Sequence, residues 1–332
     1  MGIPVVNLVA SGTTVSVIVP VRDEAGTLEE FLDSLLAQRT RPAEIVVADA
    51  GSRDHSTRII RDRIGSGIVK LVESGPSYPG RARNTAIRAA TQPWIAMTDA
   101  GTIVNDAWLS ELTAASMTNP DADVVFGTYV PLVRTFLEGC LALAFVAPSH
   151  EVDGRRFRGP STASMLIRRR VWEELGGFPE NLRACEDLLF FNRLSGRGYR
   201  TAYASGATVA WRLPSTWRGI FRRFRTYSCN TIQAGLGSRW QRSVCMMYLA
   251  AVLCAVASVV VHWSFAFVPF AGLLARAVRS VRARRDIAAE VGAGLRVHLA
   301  VCAMLVWIDA AAFAGVFDYL RGARSVAEVP SV

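Results

Sequence analysis

Apolar residues follow two different rhythms along this 332-residue chain, and the change comes near residue 242. Before that point, short apolar runs alternate with amphipathic stretches. Residues 15–20 (VSVIVP) read as a buried strand. Residues 27–38 read as a helix, with Leu28, Phe31, Leu32, Leu35 and Leu36 on one face and Thr27 and Glu30 at capping-box spacing. The same alternation predicts strands at 44–49, 68–72, 94–98 and 123–129, and helices at 56–64, 80–90 and 105–117. Strands and helices in this succession predict an α/β domain with a mostly parallel sheet, covered on both faces.

After residue 242 the apolar runs lengthen. Residues 244–261 form an 18-residue stretch without a charge, long enough to cross a bilayer. Residues 265–275 are shorter and contain Pro269. Residues 295–320 are mostly apolar but carry Arg296, His298, Asp309 and Asp318, so this run reads either as a span or as an interfacial or bundle-packed helix. Arg239 and Arg242 precede the first run. Arg276, Arg279, Arg282, Arg284 and Arg285 follow the second. The positive-inside rule puts both clusters in the cytoplasm and makes residues 244–275 a re-entering hairpin, for two or three passes in all.

Composition agrees with this division. The chain is 51% hydrophobic, which excludes a disordered protein. Its net charge of +9 is unevenly spread: −4 over residues 1–133, +10 over 134–242 and +3 over 243–332. Of 37 basic residues only Lys70 is a lysine. That bias follows either from a GC-rich genome or from the aptness of arginine for phosphates and anionic lipid. None of the six cysteines forms a CxxC pair, so reduced, buried thiols are expected rather than a zinc site or disulfide framework. Residues 1–13 have no basic region ahead of their apolar stretch and do not read as a signal peptide. Val6 breaks the myristoylation pattern.

Four polar clusters follow predicted strands or open a helix: Pro20-Val21-Arg22-Asp23-Glu24, Asp49-Ala50-Gly51-Ser52-Arg53-Asp54, Gly80-Arg81-Ala82-Arg83-Asn84 and Thr98-Asp99-Ala100-Gly101. In an open parallel sheet, ligands bind at that edge. Carboxylates there can accept from a base or ribose or bind a metal. Arginines at a helix start complement a diphosphate. Any one cluster could be ordinary turn chemistry; four on one edge point to a site.

The stretch from 15 to 57, the PGRARNTAI and WIAMTDAGTIVNDAWL segments, and the segment from STASMLIRRR through RACEDLLFF to GYR closely resemble family 2 glycosyltransferases. The resemblance covers about residues 14–212 and implies a GT-A fold, an α/β domain with a Rossmann-like mixed sheet, followed here by C-terminal membrane helices. It implies donor-binding roles for Pro20, Val21, Arg22, Glu24, Asp49, Gly51, Ser52, Arg81, Arg83, Asn84 and Asp99. Asp99 matches the first aspartate of the family's DxD motif and would serve the ribose and a Mg²⁺ or Mn²⁺ ion. Glu186-Asp187 matches the family's ED motif, with Asp187 as the general base on the acceptor hydroxyl; the same pair also suits the N-terminus of the helix LLFFNRL. The second DxD carboxylate is missing, replaced by Gly101.

Downstream, Trp211, Arg212, Arg222 and Arg223 are candidates for acceptor or phosphate contacts; a solvated basic helix is the better account of the individual arginines, and core packing of Trp211. The expected organisation is an extension (1–13), a donor half (14–130), an acceptor half with a basic juxtamembrane segment (131–242) and membrane-associated helices (243–332). The expected protein is an inverting glycosyltransferase at the cytoplasmic face of the inner (plasma) membrane. It would move a sugar from a nucleotide-diphosphate donor to a lipid-linked or glycan acceptor of the cell envelope. The alternative is a catalytically impaired nucleotide-sugar-binding scaffold. No GxGxxG follows a strand, which disfavours a dinucleotide oxidoreductase; VPVRDE is not the Gly-rich loop of a nucleotidyltransferase. The basic charge abuts apolar runs rather than a nucleic-acid motif, so nucleic acid is not an expected partner.

Overall fold

A computed structural model describes residues 14–152, 154–237 and 240–322. The N-terminal extension, Arg239 and Arg324 lie outside the described residues. Among these residues ten strands form: β1 (Val15–Val21), β2 (Glu44–Asp49), β3 (Val69–Glu73), β4 (Trp94–Met97), β5 (Thr102–Val104), β6 (Val124–Leu132), β7 (His150–Val152), β8 (Arg155–Phe157), β9 (Met165–Arg168) and β10 (Thr201–Arg212). Eight build one sheet in the order β3-β2-β1-β4-β9-β6-β10-β5; β7 and β8 pair separately. The β3-β2-β1-β4 half is parallel, as expected. Beyond it, β9 runs antiparallel to both β4 and β6, and β5 antiparallel to β10, so the sheet is mixed.

Strand β1 shows why this half is stable. Val15, Val17, Val19 and Val21 join one core with Phe31, Leu32 and Trp108, whereas Ile18 joins the other with Val46, Ala86 and Phe190. Period-2 alternation therefore feeds apolar side chains to both faces. Parallel register sets Val21 beside Asp49 and Ile18 beside Met97, which aligns three strand ends on one edge. At the opposite end, Glu44 is buried and accepts from Ser16 Oγ (2.6 Å), Thr91 Oγ1 (2.8 Å) and Lys70 Nζ (2.6 Å). Burial would push this carboxyl up, but Lys70, Ser16 and Thr91 together hold it down at about 2. The only lysine is thus part of a cross-strand clasp.

The helix expected at 27–38 forms over Leu28–Leu36, but its capping box does not: Thr27 Oγ1 turns to Glu24 Oε2 (3.2 Å) instead. A capping box does form at Thr135 and Glu138, starting the helix Phe136–Phe145.

The apolar region contains helices Trp240–Val260, Val268–Ala283, Arg285–Val291 and Leu295–Leu320, with a 3₁₀ turn at Trp263–Phe267. Among the described residues three stretches are long and apolar enough to cross a membrane: Trp240–Val260, Trp263–Ala283 and Leu295–Leu320. The second is longer than expected because Pro269 lies in the first turn of its helix, where a missing N–H costs nothing. Arg276, Arg279 and Arg282 therefore sit inside the helix rather than after it. Cys245 is exposed, not buried.

The helix Leu295–Leu320 packs one side onto the basic helix Trp217–Gln233. Gly315 makes this possible, since a Cβ there would lie 2.4 Å from Arg225 O. Ser228 Oγ donates to Ala312 O (2.8 Å), and Arg225 grips both oxygens of Asp318 (2.5 and 2.6 Å). Leu299, Phe313 and Phe317 stay exposed elsewhere on the same helix. The third apolar run thus packs against the α/β domain along one side and leaves apolar residues uncovered elsewhere.

Candidate active site

Loops after β1 and β2 are tied to each other before any ligand is considered. Asp23 sits at φ 55°, its N–H donating to Ser52 Oγ (3.0 Å) while its carboxylate accepts from Arg53 N (2.7 Å). Asp54 accepts from Ala25 N and Ser56 N, both at 2.9 Å. Asp49, buried at the end of β2, accepts from the N–H groups of Gly51 and Ser52 at 3.2 Å. Short polar side chains hydrogen-bond nearby backbone in this way and hold turns open-edged. Arg22 reaches Ser77 O at 3.3 Å. These contacts bring the first two sequence clusters onto one rim.

The third and fourth clusters meet through Arg83. The helix Pro79–Ala89 carries Arg83 inward, where Nη2 donates to Asp99 Oδ1 (2.7 Å) and Nη1 to Glu186 Oε1 (2.5 Å). Close approach of this helix to the turn at Pro179 needs Gly80, because a Cβ would fall 2.0 Å from Pro179 O. Burial would depress the guanidinium's pKa, but Asp99, Glu186 and Asp187 outweigh burial and raise it, so Arg83 stays charged. Arg83 and Glu186 are buried, while the Asp99 side chain is 35% exposed.

Asp187 lies half-buried in the first turn of the helix Glu186–Gly196, Oδ1 accepting from Leu188 N at 2.8 Å. Burial raises the Asp187 carboxyl; the Arg83 charge pulls it down without cancelling the rise. Glu186 is raised for the same reason, with Asp187 adding to it. Glu24 is raised by burial too, against a hydrogen bond from Thr27 and the Arg223 charge. Arg223, on the basic helix, is therefore close enough to act on the first loop. Carboxylates crowded around one buried cation are the pattern of a functional cleft.

The basic helix also fixes where the Glu186–Asp187 turn begins. Asn230 Oδ1 accepts from Arg183 N (3.1 Å), and Thr231 Oγ1 lies 3.4 Å from Cys185 Sγ. Cys185 is the N-cap and adopts φ 72°, a left-handed conformation that a non-glycine residue keeps only when its surroundings hold it. Sequence reasoning missed Cys185, Asn230 and Thr231. No local signal marks a cysteine for positive φ, and the partners are 46 or more positions away.

Other candidates sit differently. Asn84 is buried, its amide engaged with Phe178 O, Glu180 Oε1, Trp172 Nε1 and Phe178 N, so it braces the Gly176–Phe178 turn. Arg81 is exposed on the first turn of its helix. Trp211 packs in an aromatic cluster with Tyr129 and Phe145. Arg212 is bound to Glu30 Oε2 (2.5 Å) and Thr102 O (3.4 Å), beneath the Asp99–Thr102 turn. Arg222 is exposed and Arg223 half-buried.

The donor set does not fit a protein-held divalent ion. Among the described residues no three His, Cys, Asp or Glu side chains gather to hold a metal. Asp99 offers one carboxylate, one oxygen of which is bound to Arg83. Gly101 offers none, although a side chain there would meet nothing within 4 Å.

The profile of glycosyl transferase family 2 matches residues 16–204. The chain is 27% identical over 209 residues to the O-antigen biosynthesis protein RfbC of Myxococcus xanthus, covering 56% of this chain and 16% of RfbC. It is 27% identical over 199 residues to the glycosyltransferase AglE of Haloferax volcanii, covering 57% and 64%. It is 25% identical over 227 residues to the O-antigen chain rhamnosyltransferase RfbN of Salmonella typhimurium, covering 63% and 70%. The chain thus spans less than two thirds of the length of RfbC and AglE. Among solved structures, the mannosyltransferase PcManGT from Pyrobaculum calidifontis, in complex with GDP-Man and Mn²⁺, superposes with a TM-score of 0.53 at 21% identity, over 92% of this chain and 86% of that one. That likeness is one of fold.

Proposed function

The chain belongs to glycosyl transferase family 2, and from that premise we propose that it transfers a sugar, with inversion, from a nucleotide-diphosphate donor to an envelope glycan or lipid-linked acceptor at the cytoplasmic face of the inner membrane. One observation carries the reading: Arg83 joins Asp99, at the sheet edge, to Glu186, next to Asp187, so donor and acceptor halves share one buried cation. The O-antigen names of RfbC and RfbN support an envelope glycan as product. Three apolar stretches support membrane placement.

In this reading the nucleotide lies along the rim made by residues 21–24, 49–52 and 99. Asp49 and Asp99 accept from base and ribose. Asp187 takes the acceptor hydroxyl's proton as the hydroxyl oxygen attacks the anomeric carbon and the diphosphate leaves from the opposite face. Burial makes Asp187 a stronger base than a solvated aspartate. Arg83 orients Asp99 and Glu186 and offsets the repulsion among the carboxylates. Arg223 supplies positive charge beside Glu24, where the diphosphate would approach. No step is assigned to a metal.

The test is Asp187→Asn. Nucleoside diphosphate release should fall about a thousandfold, while thermal stabilisation by the nucleotide persists. The second reading, a nucleotide-sugar-binding scaffold, is favoured by Gly101 in place of the second carboxylate. It predicts no release from the wild type and no effect of Asp187→Asn on binding. Release unchanged in the variant would sink the catalytic assignment.

A further inference from the structure

A concavity of about 650 Å³ lies away from the Arg83 cluster, where helices Val268–Ala283, Arg285–Val291 and Leu295–Leu320 converge. This volume is in the usual range for a small-molecule site. Its apolar lining includes Val278, Val281 and Ala288, and its polar lining is Arg282, Arg285 and His298.

Of the neighbouring charges, Arg279 and Glu290 are exposed and have no ion pair or hydrogen bond among the described residues; the others are already used. Arg276 is paired with Asp309, and Arg284 turns to Val146 O and Ser280. Asp286, the acid nearest in sequence to Arg285, is held by Arg158, both side chains buried. Arg296 lies over the Phe136 ring at 4.8 Å. Arg282 and Arg285 are exposed and have no ion pair or hydrogen bond among the described residues. His298 has one ring nitrogen, Nδ1, 3.0 Å from Gly294 O.

Two unpaired guanidinium groups at an apolar hollow, at the basic end of an apolar helix, match an amphipathic anion. Arginine binds phosphate oxygens through a planar fork, and valine and alanine side chains suit hydrocarbon. We infer that this hollow binds the phosphate headgroup of an anionic membrane lipid, with the start of its acyl or prenyl chain along Val278, Val281 and Ala288. The site is separate from the transfer chemistry. It would anchor the basic end of the Trp263–Ala283 stretch at an anionic leaflet. The inference rests on the membrane placement proposed above and on no step of sugar transfer.

Native mass spectrometry of the full chain released from detergent tests this. The probes are phosphatidylglycerol, phosphatidylcholine and soluble glycerol 3-phosphate. Wild type should retain phosphatidylglycerol over phosphatidylcholine. The Arg282→Gln/Arg285→Gln variant should bind it about thirtyfold more weakly. Arg279→Gln, on the same helix but outside the lining, should change little. A loss as large for Arg279→Gln would show diffuse surface charge and overturn the site. So would equal retention by wild type and double variant, or competition by glycerol 3-phosphate as strong as by the lipid. Thermal unfolding of the double variant, expected unchanged, excludes misfolding as the cause. Flotation of the wild type with phosphatidylcholine vesicles checks membrane placement itself, so its failure is distinguishable from failure of the site.

Discussion

Two arginine–carboxylate clusters in this molecule use the same chemistry to different ends. At the sheet edge, Arg83 bridges Asp99 and Glu186, and Asp187 stands in the same field. Among the apolar helices, Arg276 grips both oxygens of Asp309 (2.5 and 3.0 Å), with Tyr248 Oη donating to the same carboxylate at 3.3 Å. The second cluster ties Trp240–Val260, Val268–Ala283 and Leu295–Leu320 together. Asp309 is 0% exposed and its charge is matched by one cation. The first cluster is unbalanced: three carboxylates face one guanidinium, and Asp99 and Asp187 keep surface open. A closed, matched pair locks helices. An open, mismatched one holds charge ready for a ligand.

The comparison can be broken most forcefully at Arg83. Arg83→Leu leaves Glu186 buried without its cation and should cost about 3–5 kcal/mol of unfolding free energy, read by chemical denaturation. A loss under about 1 kcal/mol would mean that Glu186 is protonated or rehydrated, and that the bridge is not the site's keystone.

Arg276→Leu should cost about 3 kcal/mol for the same reason, but the double variant Arg276→Leu/Asp309→Leu should recover to within about 1 kcal/mol of wild type, since a matched buried pair replaced by apolar groups is near neutral. Turnover should recover with it. The corresponding pair change at Arg83 and Glu186 should restore stability at most, never turnover. If both doubles behave alike, the distinction between lock and site fails.

The smallest effect concerns pH. Burial raises Asp187, so turnover should fall on acidification with a midpoint above the ordinary aspartate value of about 3.9. The sign for stability is opposite to the usual salt-bridged aspartate. With its folded pKa above the unfolded one, the folded state holds the proton more tightly, and stability declines as pH rises through that window. A rate profile flat down to about pH 4 would remove the perturbed base from the proposal.

Much of the fold was legible in advance. Residues 44–49 form a strand with the expected ends, because six consecutive positions are buried and the run is bounded by turn chemistry. The 295–320 helix also has the expected ends. The Thr27 capping box failed because Glu24, three positions earlier, offered Thr27 a partner that spacing alone does not rank. The arginines from 276 to 282 were placed after a short run. Pro269 instead opens the helix and draws them into it. Asn84 carried the right motif, but its amide is engaged by the turn it supports.

Periodicity is a local property, so the chain by itself determined the strands and helices of the sheet and the change to long apolar runs after residue 242. Which charges meet was decided only in three dimensions. Arg83 and Glu186 are 103 positions apart, and Arg276 and Asp309 are 33 apart. Coulomb energy in a desolvated interior changes over ångströms, a distance that sequence separation does not constrain. The same guanidinium–carboxylate chemistry therefore yielded an open site in one place and a closed lock in the other.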